Sequence, residues 1–447
     1  MMKVFLALTS VLLSLAAARP TCPKKPTPST SATTSAYGSA TTTPSTNATN
    51  ATATPAAGGY SNSTSGTRLA TGWYPGWGAD KFSPSQIPWD KYSALTYAFA
   101  VTTPDDSFFK ISDDPSVLTE FVSQAHAHNV KALVSIGGYT GSRYFSSSVS
   151  TPENRTAFAT ALMDFATKNQ LDGLDFEYAM DFIPLDSHIL TYIPIAESTR
   201  TSREVRQKAP KDFQLTAAVA MTPFNGPDGK PMSDVSSFAQ VLNHIAIMAY
   251  DVYGTWSETG AGPNAPIQDT CAPTQKQLGS CASAVKAWSD AGIPANQLVL
   301  GVPAYGRSYT VASSAVGGYA QKLAEYPTFD KNLVPLGTGE TRTQTKDECG
   351  VEQGPGGIFN YNDMVARGFI DSQGNAGSGL TYQFDNCSQT AYIYNSTSQV
   401  LINYDTADTY KAKGNFIKEQ NLAGFAMWSI DTDTADGTLA GAIRSTM

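Results

Sequence analysis

Three alternating positions in the stretch LDGLDFEYAM (171–180) bear on the chemistry that this chain can perform. Asp175 and Glu177 lie two residues apart, and Ala179 stands two residues further on. Side chains in a β-strand alternate between its two faces, so these three residues share one face if the stretch is a strand. Positioned acids can transfer protons in catalysis. The stretch therefore predicts either a catalytic strand or a catalytic strand whose last acid has been replaced.

The apolar runs that must position these acids predict a (β/α)8 barrel. Most of the runs are nearly continuous in apolar residues, as is typical of strands buried on both faces. Helix-like segments separate most of them, for example 115–128 and 152–169, each with Pro at the first helical position. In such a barrel the chemistry lies at the C-terminal ends of the strands. The eight predicted strands are 71–77, 95–100, 130–138, 171–177, 215–221, 245–251, 298–306 and 422–428.

One connection is too long for a crossover. About 110 residues separate the seventh predicted strand from the eighth, and they are rich in Tyr. We expect a small inserted α+β subdomain at about 311–395.

The N-terminal residues predict a secreted protein. Residues 1–18 combine one Lys, a short apolar run and small residues at Ala16 and Ala18, which is the pattern of a signal peptide. Residues 19–67 are dominated by Ser and Thr and cannot bury a core, which predicts a disordered, O-glycosylated stalk. The remaining residues, 68–447, form the predicted barrel domain.

Charge and composition narrow the range of partners. The formal net charge is −8, and no basic stripe is present, so neither nucleic acid nor an anionic membrane is an expected partner. The four His are scattered, and no CxxC or HExxH spacing occurs, so no metal or other cofactor is predicted. We expect a monomer.

The cysteines and sequons fit an oxidising compartment. Secretion permits disulfides, and we expect Cys271 to pair with Cys281, its neighbour in sequence, and Cys349 to pair with Cys387, which leaves Cys22 unpaired. Six Asn-X-Ser/Thr sequons are expected to lie on the surface, and several to carry glycans: Asn47, Asn50, Asn62, Asn154, Asn386 and Asn395.

Several of the runs together resemble the glycoside hydrolase family 18 chitinases, particularly the secreted fungal ones. No single motif is specific, but their number and order are. The matching stretches are GWYPGW (72–77), SIGG (135–138), DGLDF (172–176), MAYD (248–251), PAYGRSY (303–309) and MW (427–428).

The resemblance implies a substrate-assisted mechanism, in which the N-acetyl oxygen of the substrate attacks the anomeric carbon. The family's fourth strand normally reads DGxDxDxE, and its final Glu protonates the leaving oxygen. Asp172 and Asp175 match the first two acids, and Glu177 falls where the third acid, an Asp that orients the acetamide, is expected. Ala179 falls at the proton-donor position.

The resemblance also implies a set of ligand contacts. Tyr250 matches the Tyr that binds the acetamide oxygen, and Trp428 matches the Trp that forms the floor of the sugar pocket. Tyr139 stands where Trp is usual. The predicted substrate-binding residues are Tyr74, Tyr139, Met248, Tyr250, Asp251, Tyr305, Arg307 and Trp428; further aromatic residues expected at the strand ends are Trp73, Trp77, Tyr253 and Trp256.

A different alignment, with two residues deleted after Phe176, would make Glu177 the proton donor. Glu177 would still enter the barrel about 6–7 Å below the donor level at ~3.3 Å per residue, and the extra methylene of Glu recovers only about 1.5 Å. Only a two-residue slip of the strand would restore the geometry, and barrel packing opposes such a slip.

Two functions therefore follow from the resemblance. The first is a secreted chitinase-like protein that binds chitin oligosaccharides with lost or strongly weakened hydrolysis, and that could hide chitin fragments from host immune receptors. The alternative is an active endochitinase that hydrolyses β-1,4 bonds with retention. A barrel without ligand binding is a third option. The binder and the enzyme differ at Ala179. The predicted catalytic residues are Asp175, Glu177, Tyr250 and Ala179, the last as a degenerate proton-donor position.

Overall fold

A computed structural model describes residues 68–177 and 195–447, except for 106, 140, 227, 317–322, 324, 344 and 347–351. The predicted signal peptide and stalk, and also Ala179 and Cys349, lie outside the described residues. The strands are β1 (Leu69–Pro75), β2 (Ala94–Thr102), β3 (Phe109–Ile111), β4 (Lys131–Gly137), β5 (Gly173–Glu177), β6 (Gln214–Val219), β7 (His244–Ile247), β8 (Leu298–Pro303), β9 (Tyr305–Thr310), β10 (Thr345–Lys346), β11 (Glu352–Gln353), β12 (Ile358–Asn360), β13 (Thr381–Asp385), β14 (Thr390–Asn395), β15 (Val400–Tyr404) and β16 (Gly424–Trp428).

Helices follow most of the barrel strands. In the described part of the chain, no helix is long and apolar enough to span a membrane. Asp114 and Thr151 cap the first and third helices by accepting hydrogen bonds from the backbone N–H groups of Ser116 and Asn154. The helices are α1 (Pro115–Ala127), α2 (Phe145–Ser148), α3 (Pro152–Lys168), α4 (Ile195–Lys208), α5 (Ser236–Ala239), α6 (Cys281–Asp290), α7 (Tyr361–Ala366), α8 (Ala407–Glu419) and α9 (Thr438–Arg444).

Eight parallel strands close into a barrel in the order β1, β2, β4, β5, β6, β7, β8, β16, and β16 pairs back to β1. Their outward residues pack against the helices in one large core. Their inward residues form a small inner cluster of Trp73, Val299 and four Ala. The predicted (β/α)8 barrel is confirmed, because continuous apolar runs bury both faces of each strand.

The long connection between β8 and β16 folds as an antiparallel five-stranded sheet in the order β12, β9, β15, β14, β13, with α7 beside it. This confirms the inserted α+β subdomain, but its sheet runs from Tyr305 to Tyr404, which is wider than the predicted 311–395. The predicted seventh strand (298–306) in fact divides at Ala304. The backbone N–H of Ala304 donates to the carbonyl of Trp428 in the barrel. The carbonyl of Ala304 accepts from the backbone N–H of Tyr361 in the insertion.

The predicted disulfide pairing is wrong. Cys271 is bonded to Cys387 across 116 residues of sequence, with their Cα atoms 5.9 Å apart. Cys281 is a free, fully buried thiol. It is the first residue of α6, and it packs into the core on the same helix face as Ala284 and Trp288. Closeness in sequence therefore does not bring Cys281 to Cys271, because the start of the helix turns Cys281 inward.

Candidate functional site

The candidate site lies at the C-terminal end of the barrel, where β5 presents its two acids. Residues 173–177 alternate: Leu174 and Phe176 pack outward against the helices, while Asp175 and Glu177 point into the barrel. β5 pairs with β4 and β6 in unbroken register, which places Glu177 beside Gly137 and Ala218. Alternation along one strand thus brings both acids to the barrel axis.

Asp175 is a fully engaged carboxylate. One oxygen accepts hydrogen bonds from the Ser135 hydroxyl (2.8 Å) and the Trp73 indole N–H (3.3 Å), and the other accepts from the Thr216 hydroxyl (2.6 Å). Burial raises the pKa of Asp175, and the three donors oppose that rise. These donors come from three different strands, so they hold the carboxylate in one orientation.

Glu177 has a different environment. Only 8% of its surface is exposed, and among the described residues no donor bonds to its carboxylate. Burial, with a further contribution from the charge of Asp175, raises the pKa of Glu177 from 4.5 to about 8. At neutral pH this residue is therefore a protonated carboxylic acid that can donate a hydrogen bond.

This raised pKa predicts how stability depends on pH. An unfolded Glu releases its proton near pH 4.5, whereas the folded protein keeps it up to about pH 8. The unfolded state then binds fewer protons, so the free energy of unfolding falls as pH rises through this window. We expect urea unfolding to show a fall in the free energy of unfolding between about pH 6.5 and about pH 8, the upper part of this window, that is much smaller in Glu177→Gln.

Three other buried groups with shifted pKa values titrate outside that range. Burial lowers the pKa of His244 to about 4 and raises that of Asp433 to about 6, while burial raises the pKa of the Cys281 thiol to about 12. These three groups are present in both proteins, so the difference between the wild type and Glu177→Gln reports on Glu177 and its coupling to Asp175. If the free energy of unfolding falls equally in both proteins, the buried environment assigned to Glu177 is wrong.

Asp251, in the loop that follows β7, and Arg307 of β9 form a polar wall at one side of the site. Asp251 forms an ion pair with Arg307 on β9 (2.6 Å between Nη2 and Oδ2) and accepts a hydrogen bond from the Tyr305 hydroxyl (2.7 Å). The Arg307 guanidinium also lies over the ring of Trp256, 4.9 Å from its centroid. Tyr250 packs edge-on against Tyr305 at 6.3 Å. This wall joins the barrel to the insertion.

Burial raises the pKa of Tyr250 well above its ordinary value, and the charges of Glu177, Asp251 and Asp175 raise it further. Its hydroxyl is therefore a neutral hydrogen-bond donor across the physiological range. Asp175 and Glu177 therefore share one electrostatic environment with Tyr250, which lies 73 or more residues further along the sequence.

Trp73, Phe99 and Trp428 form an aromatic floor at the C-terminal end of the barrel. Trp428 lies 5.9 Å from Trp73 and 5.8 Å from Phe99, which it stacks on at 22°. Trp77 also stacks on Phe99, at 5.9 Å between ring centroids, and is 56% exposed. Tyr139, after β4, is 76% exposed. Phe99 was missed by sequence reasoning; the only signal is its place near the C-terminal end of a predicted strand.

Tyr74 was predicted to contact a ligand, and the structure contradicts this. Its ring is fully buried on the outer face of β1, stacked 5.4 Å from Phe121 of α1, and its hydroxyl donates to the carbonyl of Phe82. Alternation along β1 explains the error, because Trp73 takes the inward position. Tyr253 is likewise buried in the insertion core.

The other predicted residues lie in several places. Met248 packs at the edge of the inner barrel cluster. Asp172 lies at the opposite end of β5 from Glu177 and binds the His126 ring (2.9 Å) and the backbone N–H of Ala132 (2.8 Å). Of the sequons, Asn154 and Asn386 are exposed and Asn395 is half-buried, while Asn47, Asn50 and Asn62 lie outside the described residues.

Comparison with known proteins gives a consistent result. The profile for glycosyl hydrolases family 18 matches residues 69–433. A chitinase-like effector of Moniliophthora roreri is 43% identical over 394 residues, which covers 86% of this chain and 93% of the relative. A chitinase-like effector of Moniliophthora perniciosa is 40% identical, covering 87% and 88%. The crystal structure of a chitinase from Rhizomucor miehei, 28% identical, superposes with a TM-score of 0.74 over 85% of this chain and 100% of that one. The chain therefore belongs to the family 18 glycosyl hydrolases.

Proposed function

We propose that this protein binds chitin oligosaccharides at the barrel mouth and hydrolyses them weakly or not at all. The observation that carries the proposal is that the aromatic floor of Trp73, Phe99 and Trp428 and the polar wall of Asp251 and Arg307 both lie at the C-terminal end of the barrel. Sugar rings present an apolar C–H face that suits aromatic rings, and a few placed polar groups fix their orientation.

Weak hydrolysis follows from the acids. Ala179 occupies the position expected for the proton donor, and an Ala side chain carries no proton to donate. Asp175 is held by three donors and remains buried. General acid catalysis contributes roughly 10²–10⁴-fold, so its loss alone would slow hydrolysis by that order.

The biological role proposed is that of a secreted binder. The two Moniliophthora relatives are chitinase-like effectors and align with most of this chain. Together with the predicted signal peptide at 1–18 and the predicted Ser/Thr-rich stalk at 19–67, this supports export of the domain at 68–447, which would then sequester chitin fragments from host immune receptors.

One observation favours the alternative, an active endochitinase. Glu177, with its pKa raised to about 8, is protonated at neutral pH, as a general acid must be. Glu177 thus has the protonation state that a general acid needs. To act as the proton donor, it must also lie within hydrogen-bond distance of the leaving oxygen.

One sample can separate the two functions. Calorimetry with chitin tetraose should give saturable binding, and chromatography of the same mixture should show little product after prolonged incubation. Hydrolysis at ordinary enzyme rates, abolished in Glu177→Gln, would instead establish Glu177 as the proton donor. Absence of binding would remove the proposed function.

A further inference from the structure

We propose that the buried side chains of Asn264 and Asn403 position the polar wall for ligand binding, and that the Cys271–Cys387 disulfide holds the outer end of their hydrogen-bond network. The inference rests on the proposed function, since the wall is the polar side of the proposed binding site. Both Asn residues are almost completely buried, and neither lies in a sequence motif that pointed to the site.

The inner end of the network is Asp251, whose backbone has a φ of +58°. This left-handed conformation is uncommon for a residue with a side chain, although Asp adopts it more readily than most, and the contacts around Asp251 fix it in place. The Asp251 backbone N–H donates to the Asn264 side-chain oxygen at 2.9 Å. The Asn264 side-chain nitrogen donates to the carbonyl of Tyr305 at 3.2 Å. One amide thus ties the loop after β7 to β9, the two segments that carry the ion pair.

Asn264 is itself held on its remaining groups. Its backbone N–H donates to the Asn403 side-chain oxygen at 2.6 Å, and its carbonyl accepts from Val252 at 3.0 Å. Asn403 lies on β15 directly opposite Arg307 of β9. Every polar group of Asn264 is therefore used, which makes its orientation, and with it that of Asp251, over-determined.

The network continues outward through the insertion. The Asn403 side-chain nitrogen donates to the Thr390 hydroxyl (2.9 Å) and to the carbonyl of Ala391 (3.0 Å). The hydroxyl of Thr390 bonds to that of Ser388 at 2.8 Å, and the Ser388 carbonyl accepts from the backbone N–H of Ile267. These contacts run from β15 to the turn between β13 and β14.

The disulfide closes this network at the surface. Cys271 follows Asn264 on the loop after β7, and Cys387 adjoins Ser388 in the turn after β13. The covalent bond therefore joins the two segments whose hydrogen bonds lead to Asp251. Without it, Ile267 and Ser388 would be held together only by non-covalent contacts.

The test uses Asn264→Ala and a matched control, Asn243→Ala. Asn243 is also buried and accepts a backbone N–H (Leu215, 2.9 Å), but it lies at the opposite end of β7, where Arg206 also bonds to it. Deuterium exchange of peptides that contain Asp251 should accelerate in Asn264→Ala and stay at the wild-type rate in Asn243→Ala. The dissociation constant for chitin tetraose should rise about fivefold in Asn264→Ala alone, the scale of one hydrogen bond.

A second measurement covers failure of Asn264→Ala to fold. The double variant Cys271→Ser, Cys387→Ser should show the same faster exchange around Asp251, with a smaller loss of affinity. Wild-type exchange at Asp251 in both perturbed proteins would overturn the inference, whether or not chitin binds. Absence of chitin binding by the wild type, with the exchange differences present, would overturn the proposed function and leave the positioning network supported.

Discussion

The double variant Glu177→Asp, Ala179→Glu should release products from chitin oligosaccharides at least about tenfold faster than the wild type. Residue 179 lies two positions beyond Glu177, so along an extended strand its side chain would enter the site about 6–7 Å higher. A Glu there restores a proton donor, and general acid catalysis contributes roughly 10²–10⁴-fold. The shorter Asp at 177 restores the acid expected to orient the acetamide. Chromatographic product analysis with chitin tetraose measures the gain.

The matched control for this gain is Glu177→Asp, Ala179→Gln. It has the same side-chain lengths but no proton donor at 179, so it should remain as slow as the wild type while binding chitin with similar affinity. The gain can fall short of a normal chitinase because Tyr139 replaces the usual Trp. If the double variant and its control release product at equal rates, residue 179 is not the donor position.

The second large effect is expected for Trp428→Ala, which should weaken binding of chitin tetraose by at least about tenfold. Trp428 packs against both Trp73 and Phe99, so its removal opens the middle of the aromatic floor. Aromatic anchors that become buried under a ligand are typical binding hot spots, worth roughly 2 kcal/mol or more. The loss also removes the packing partner of Trp73, whose indole holds Asp175. Calorimetry measures the dissociation constant directly.

Tyr382→Ala is the control for this substitution. Tyr382 is also a partly exposed aromatic residue, but it lies on β13, the outer strand of the insertion sheet. Its removal should leave the dissociation constant unchanged. An unchanged affinity in Trp428→Ala, with circular dichroism showing an intact fold, would place chitin binding elsewhere on the molecule.

The barrel and the inward position of its acids could be predicted because both depend on local patterns. Apolar runs separated by helical segments specify strands buried on both faces, and the period of two assigns Asp175 and Glu177 to one face. The same period, applied to β1, would have separated Trp73 from Tyr74. The residues of β1 were assigned by their motif match and not by this alternation, so Tyr74 was wrongly assigned to the site.

The sequence by itself determined the fold class, the family resemblance and the identity of Ala179, since each can be read from neighbouring residues or from motifs in order. Only the tertiary structure decided which cysteine meets Cys387, how Phe99 joins the floor, and how Asn264 and Asn403 reach Asp251. These contacts join residues from 13 to 329 positions apart. No local period records such distances, because they are set by how the barrel closes and how the insertion packs on it.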